Sequence, residues 1–343
     1  MKHLLNTLFV TSEDIYLSLE GENVVANKGP EKVARYPLHT LQNIVTFSYA
    51  GATPALMGAC AERDIGLTFC SPYGKFLART SGVRNGNVLL RREQYRIADN
   101  EEKSVIIARN MIFGKLFNSR WCLERALRDH IDRVDETILA SSISALKTDM
   151  TEIRKSDSLN LIMGIEGAGA TSYFRAFDQM ILRDKDSFFF SKRSRRPPLD
   201  KVNAMLSFAY SLLVSDCASA LESVGLDAYV GFLHQDRPGR KSLSLDIMEE
   251  LRPCYADRFV ITVINNRIMR PDDFTQTDSG AVEMTDSGRK TFLKSWQERK
   301  KDQITHPFLK EKMPWGMVPY VQSLLLARYL RGDLDEYPPF LWK

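Results

Sequence analysis

The side chains that could do chemistry in this chain fall in three stretches. The first is Gly164-Ile165-Glu166-Gly167-Ala168-Gly169. Its glycines run G-x-x-G-x-G, no clear strand precedes them and no Gly-Lys-Ser/Thr follows. That is not the order of a nucleotide- or dinucleotide-binding loop. Two readings of Glu166 stay open. It stands at the first turn of a helix with Tyr173, Phe174, Phe177 and Ile181 on its apolar face, where a carboxylate complements the helix dipole. Alternatively, the small residues around it let a substrate or another backbone approach a working acid.

The second stretch runs from Gly231 to Pro253. His234 ends an apolar segment and enters a polar loop with Arg237, Pro238, Gly239, Arg240 and Lys241. Ser242 or Ser244 then caps a helix beginning near Leu245. On it Asp246, Glu249 and Glu250 stand at i, i+3 and i+4 and share one side, while Ile247, Met248 and Leu251 pack inward. One imidazole with carboxylates and no thiolate suits Mn²⁺ or Mg²⁺ better than zinc. The alternative is a solvated acidic face beside a lone loop histidine. The third stretch, 188–200, sets Lys192, Arg193, Arg195 and Arg196 between three phenylalanines and Pro197-Pro198. It is either a phosphate-contacting loop or a solvated linker anchored by the phenylalanines. His3, His39, His130 and His306 have no acidic or cysteine partner at ligand spacing and read as structural or surface groups. No G-x-S-x-G elbow and no H-E-x-x-H helix is present, which argues against serine-hydrolase or zincin chemistry.

The elements that must position these residues change character along the chain. Residues 1–80 read as short strands (LLNTLFV, DIYLSL, NVVANK, ARYPL, IVTFS, then 65–70 and 74–81), with a hairpin turn at Glu20–Asn23 and one helix near 54–63. Gly82 to Asn87, with two glycines and two asparagines, marks a turn or linker. Beyond it the hydrophobic period lengthens to about 3.6. Long helices are expected over 89–117 and 121–146, and others near 166–184, 200–224, 243–251, 255–266, 287–304 and 316–331. Segment 270–287 reads as an exposed loop with a short hairpin. The expected fold class is therefore α+β: a small N-terminal β-sandwich-like domain over 1–82, then a larger all-α catalytic domain over 83–343.

Composition narrows the function classes. The chain of 343 residues is 44% hydrophobic and 26% charged, which excludes a disordered or fibrous protein. Five dispersed cysteines without a C-x-x-C pair read as reduced thiols. No run of about 18 apolar residues and no signal-peptide pattern is found, so neither a membrane span nor secretion is expected. The net charge of +4 is mild; nucleic-acid binding would have to use local patches.

Taken in order, these stretches resemble one family, the CRISPR-associated integrase-endonuclease, the metal-dependent DNase of the spacer-acquisition complex. The resemblance is carried by Gly-Ile-Glu-Gly at 164–167 with Tyr173-Phe174, by Arg195 to Pro198 leading to Asn203 and Tyr210, and by Gly-Phe-Leu-His at 231–234. It continues through S-L-x-L-D-I-M-E-E-L-R-P at 242–253 and Asn265 before Asp273-Phe274. Gly51 to Cys60, Ile65 to Phe69, the Gly74 strand and Asn87 to Gln94 also match, so the resemblance covers nearly the whole chain. The length and the closing Glu336 to Lys343 resemble the version from type I, subtype C systems.

The resemblance implies a prokaryotic, cytoplasmic DNA endonuclease and integrase that joins prespacer 3′-hydroxyl ends to the repeat of a CRISPR array. It implies that Glu166, His234 and Glu249 hold one Mg²⁺ or Mn²⁺, with Asp246 as a further catalytic carboxylate that orients a water or steps in on the ion. Glu250, rotated about 100° from Glu249, is expected to pair with an arginine or meet solvent. Lys192, Arg193, Arg195, Arg196, Arg237, Arg240 and Lys241 would contact the phosphates of double-stranded DNA, the prespacer and repeat. The family also implies a homodimer built through the N-terminal domains, with two such dimers bridged by one dimer of a small ferredoxin-like adaptation partner. A structure-selective repair nuclease and a non-catalytic DNA-binding scaffold are the alternatives.

Overall fold

The structure, a computed structural model, describes residues 6–10, 12, 14–63, 65–71, 76–80 and 88–343. The expected turn at 82–87, the start of the Gly74 strand and His3 lie outside the described residues.

The N-terminal region holds β1 (Asn6–Val10), β2 (Ile15–Glu20), β3 (Asn23–Lys28), β4 (Glu31–Pro37), β5 (Leu41–Thr46), α1 (Pro54–Glu62), β6 (Gly66–Cys70) and β7 (Phe76–Arg79). β2, β3 and β4 form an antiparallel meander. Its two turns place Gly21 and Gly29 at φ 57°, the left-handed region that glycine enters without a Cβ penalty. The second sheet runs β1-β5-β6-β7, with β1, β5 and β6 parallel and β7 antiparallel. A parallel pair needs a crossover, and α1 supplies it between β5 and β6. The Thr53 hydroxyl accepts the Leu56 amide and Pro54 opens the helix, the capping its sequence dictates. Leu17, Val24, Ile44, Leu56 and Leu67 are fully buried in the core that the two sheets and α1 share.

The remainder is helical, and the fold class is α+β as expected. It comprises α2 (Val88–Ala98), α3 (Glu101–His130), α4 (Glu136–Ile153), α5 (Leu159–Ala176), α6 (Lys201–Ser223), α7 (Ser242–Leu251), α8 (Arg258–Asn265), α9 (Asp286–Lys301) and α10 (Val318–Leu330). Two small hairpins interrupt it. β8 (Phe274–Gln276) pairs with β9 (Val282–Met284) inside the segment expected to hold one, and β10 (Gln303–Thr305) with β11 (Lys312–Pro314) where none was expected. The long helices divide where polar residues cap them, not where the hydrophobic period suggests. Asn100 accepts the Lys103 amide and starts α3, and Asp135 accepts the Ile138 amide and starts α4. Likewise Ser158 accepts the Leu161 amide and starts α5, so Glu166 stands two turns inside the helix and the dipole reading of that residue falls. α7 begins at Ser242, earlier than Leu245, and continues through a π-helical turn, Arg252–Asp257, into α8. Pro253 lies in that turn, where its missing N–H breaks the regular ladder.

α6 is long and apolar enough to cross a membrane, but 61% of its most apolar window is buried inside the protein. It packs against α7 and α10 as a core helix. Phe47 after β5 meets Phe208 of α6, with ring centroids 6.0 Å apart, and Arg79 lies 3.3 Å from Glu222. These contacts seat the β region on the helices.

Candidate functional site

Three helices and one loop bring the site together. α3 supplies Lys115, α5 supplies Glu166 and α7 supplies Glu249, with Arg252 one turn further on. The Lys115 ammonium donates to Glu166 Oε1 and, at 2.7 Å, to Glu249 Oε2. Arg252 Nη1 lies 3.0 Å from Glu249 Oε1. Glu249 is 3% exposed, and burial alone would raise its pKa; the Arg252 and Lys115 charges beside it outweigh that and hold it at about 2.

His234 is fixed from behind. Asp246 is fully buried and accepts the amides of Phe232 at 2.6 Å, Leu233 at 3.0 Å and His234 at 3.0 Å. The same carboxylate lies 2.6 Å from His234 Nδ1. A carboxylate in that role accepts, so Nδ1 carries a proton and Nε2 is the ring nitrogen left for another partner. Gly231 makes the wrap feasible: a Cβ there would come within 2.7 Å of Asp246 Oδ2 and 2.9 Å of Ser242 Cβ.

Glu166, His234 and Glu249 line one cavity of about 450 Å³, with Arg237 and Arg240 in its wall. Asp246 does not line it; the residue acts on the imidazole and the loop, which corrects the expectation that it faces an ion. Among the described residues, no group of three His, Cys, Asp or Glu side chains stands close enough to hold a metal ion. What the two carboxylates hold instead is the ammonium of Lys115. The donor chemistry, hard oxygens and one oriented imidazole, still fits a hard divalent ion, and the lysine shows that the gap between the carboxylates takes a cation.

The acids of α7 do not form a solvated face. Asp246, Glu249 and Glu250 are 0%, 3% and 0% exposed. Glu250 meets neither solvent nor an arginine. It accepts the Tyr337 hydroxyl, Gln322 Nε2 at 2.8 Å and the Phe340 amide at 2.9 Å. Burial raises it to about 7 against the pull of these three donors.

The basic residues divide too. Lys192, Arg195, Arg196 and Arg237 are exposed, and Arg195 also borders a small cavity beside Lys115 and Glu166. Arg193 is turned inward: it donates to Asn203 Oδ1 at 2.6 Å and Ser207 Oγ at 3.1 Å and lies over the Tyr210 ring. Lys241 is 8% exposed. Neither of these two presents a free cation to a phosphate. Phe188 and Phe190 are buried and Phe189 is 53% exposed, so two of the three phenylalanines anchor the segment. Of the remaining histidines, His39 and His130 are exposed and His306 is buried against Gln322.

Sequence reasoning missed Lys115, Arg252, Gln322 and Tyr337. Lys115 had a signal. It falls on the stripe Ala108, Met111, Ile112, Leu116 and Ser119, all buried on α3, and a lysine on a buried stripe needs an acid for company.

The site is thus two carboxylates bridged by an ammonium, with an imidazole and two arginines in the wall of the same cavity, on the helical part of an α+β chain. The family is narrower than that class. Residues 8–298 match the model described as CRISPR associated protein Cas1, and the chain belongs to that family. It is 46% identical to the CRISPR-associated endonuclease Cas1 1 of Chlorobaculum tepidum over 343 residues, the whole of both chains. Among solved structures it is similar to a casposase bound to integration product, with a TM-score of 0.84 at 22% identity, covering 99% of this chain and 95% of that one. It is also similar to a chain of a Cas6-RT-Cas1–Cas2 complex, with a TM-score of 0.80 at 22% identity, covering 99% of this chain and 36% of that one. At such identities the two likenesses show the fold.

Proposed function

We propose that the chain is a divalent-metal-dependent DNA endonuclease and strand-transfer integrase that joins prespacer 3′-hydroxyl ends to the repeat of a CRISPR array in the prokaryotic cytoplasm. The observation that carries the reading is the single cavity shared by Glu166, His234 and Glu249 beneath Arg237 and Arg240. Family membership supports it. Glu166, Glu249 and the His234 Nε2 lone pair would hold one Mg²⁺ or Mn²⁺, which when bound supplies a Lewis acid for the phosphoryl oxygen and for the attacking hydroxyl. Asp246 keeps the imidazole aimed. Arg252 holds Glu249 ionised and fixes its carboxylate. Arg237 and Arg240, with Lys192, Arg195 and Arg196, would neutralise backbone phosphates of double-stranded DNA without reading sequence.

The same reading gives the chain a homodimer and a small ferredoxin-like adaptation partner whose dimer bridges two such dimers. For the homodimer the support is β4, exposed along nearly its whole length with Val33 45% and Tyr36 41% exposed, an edge strand open to pairing. The test is joining of 3′-hydroxyl duplexes to supercoiled repeat-bearing DNA with the partner present. Joining is expected with Mn²⁺ or Mg²⁺ and none in EDTA, with zinc a poor substitute. Metal-dependent cleavage of branched DNA without repeat-specific joining would favour the repair nuclease, and full activity under chelation would remove the metal reading.

A further inference from the structure

We propose that Lys115 is a built-in, displaceable counter-cation that occupies the place between Glu166 and Glu249 and competes there with a divalent ion. The inference rests on the metal-dependent reading above. Its ammonium donates to both carboxylates, and its side chain is 9% exposed where those of Glu166 and Glu249 are 28% and 4% exposed. Two carboxylates brought together in a poorly solvated site repel strongly unless a cation stands between them. Among the described residues Lys115 is the cation that donates to both carboxylates, while Arg252 meets Glu249 at its other oxygen, Oε1.

A lysine suits a placeholder. Its charge is compact and sits on a flexible four-carbon stem, whereas a guanidinium would lock both acids in a planar fork. It also has somewhere to go. Lys115, Ser119, Tyr210 and Asp257, with Arg195 and Arg252, border an adjoining cavity of about 20 Å³, room for one water-sized group. An ammonium that leaves the carboxylates can turn there, towards the buried acid Asp257, whose carboxylate offsets the two guanidinium groups in the wall. The site then alternates between a lysine-closed form and an ion-holding form, and the apparent ion affinity is reduced by the fraction of molecules in the closed form.

The test is Mn²⁺ calorimetry at pH 8 on the full-length protein and on Lys115→Met, with thermal melts of both with and without Mn²⁺. Lys115→Met is expected to bind Mn²⁺ about tenfold more tightly, as it would if nine-tenths of the wild type is lysine-closed. Its metal-free form is expected to melt lower than wild type and to gain more from added Mn²⁺. Lys115→Gln, which keeps a polar group in the gap, should show the same order of affinities if Lys115→Met folds poorly. Unchanged or weaker Mn²⁺ binding in a folded variant overturns the placeholder while leaving the metal reading intact. Absence of Mn²⁺ binding in wild type and variants alike overturns both.

Discussion

Replacing Glu250 by glutamine is expected to cost about 1–3 kcal/mol for a donor left without its acceptor, offset in part because the neutral amide no longer buries a charge, although the helical spacing alone marks it as a harmless acid. At pH 8, above the value of about 7 to which burial pushes it, the side chain is acceptor only. Oε1 takes the Tyr337 hydroxyl and Gln322 Nε2, and Oε2 takes the Phe340 amide. A glutamine brings one oxygen and one NH₂ group. With its nitrogen at the Oε1 position it confronts two donors, and at the Oε2 position one. The relaxed variant therefore keeps its oxygen toward Tyr337 and Gln322 and orphans the Phe340 amide, one buried donor without an acceptor. Glu250→Ala removes the acceptor of the Phe340 amide and of the Tyr337 hydroxyl, while Gln322 Nε2 still reaches Tyr337 Oη and the Pro338 carbonyl, and it leaves a void beside Gly114, about 3 kcal/mol or more. The assay is urea unfolding at pH 8 with matched slopes, set beside Glu62→Gln, whose side chain is 81% exposed. Tyr337→Phe combined with Glu250→Gln should be less than additive, because both changes break one network. A Glu250→Gln midpoint equal to that of the Glu62 control would refute the latch between α7 and the C-terminal tail.

Three further outcomes follow from the geometry. Asp246→Asn should reduce strand transfer and Mn²⁺ affinity by about 10–100-fold, because the imidazole loses its orienting partner, whereas Glu249→Gln should abolish both; loss of ion binding in the first with retention in the second would exchange the two roles. Arg195→Ala with Arg196→Ala should flatten the slope of log K against log salt by about 0.9 per lost phosphate contact, while Arg193→Ala should lower stability and leave that slope alone. His306 should stay neutral in the fold well below its ordinary pKa, because burial lowers it to about 4, with Lys310 adding to the effect and Gln322 opposing it. Its Nδ1 already accepts the Phe308 and Leu309 amides, and Nε2 faces Gln322. The unfolded chain protonates this histidine first, so its contribution is whole above pH 6.5 and is lost as pH falls towards 4, with a slope of up to about 1.4 kcal/mol per pH unit. An NMR titration placing the His306 midpoint near 6.5 would contradict this.

Most of the N-terminal region was legible because its signals are local. Glu20 to Asn23 turns where a glycine must take positive φ, and Thr53-Pro54 starts a helix with a cap and a proline that need no distant partner. The helical breaks were legible in principle too, since Asn100, Asp135 and Ser158 all accept amides within three residues. The hydrophobic period drew attention past them and left Glu166 at a helix start that does not exist. The hairpin of β10 and β11 had no such signal, for each strand has three residues.

The site was legible as a set of residues but not as an arrangement, and α7 shows why. Asp246, Glu249 and Glu250 lie within about one turn of each other, and their spacing puts them on one side of the helix without saying what each one meets. Which network each acid enters depends on residues far along the chain. Asp246 meets the loop 232–234, Glu249 meets Lys115 on α3, and Glu250 meets Gln322 on α10 and the tail at Tyr337 and Phe340. Three buried acids on one short helix would be untenable if they shared a single environment. They are tolerated because each is satisfied separately, one by amides and an imidazole, one by an ammonium and a guanidinium, one by neutral donors. That separation also divides the work. Of the three, Glu249 touches the Lys115 ammonium, while Asp246 fixes the loop that carries His234 and Glu250 ties down the tail, so a change at either neighbour is expected to reach the site through position, not through charge.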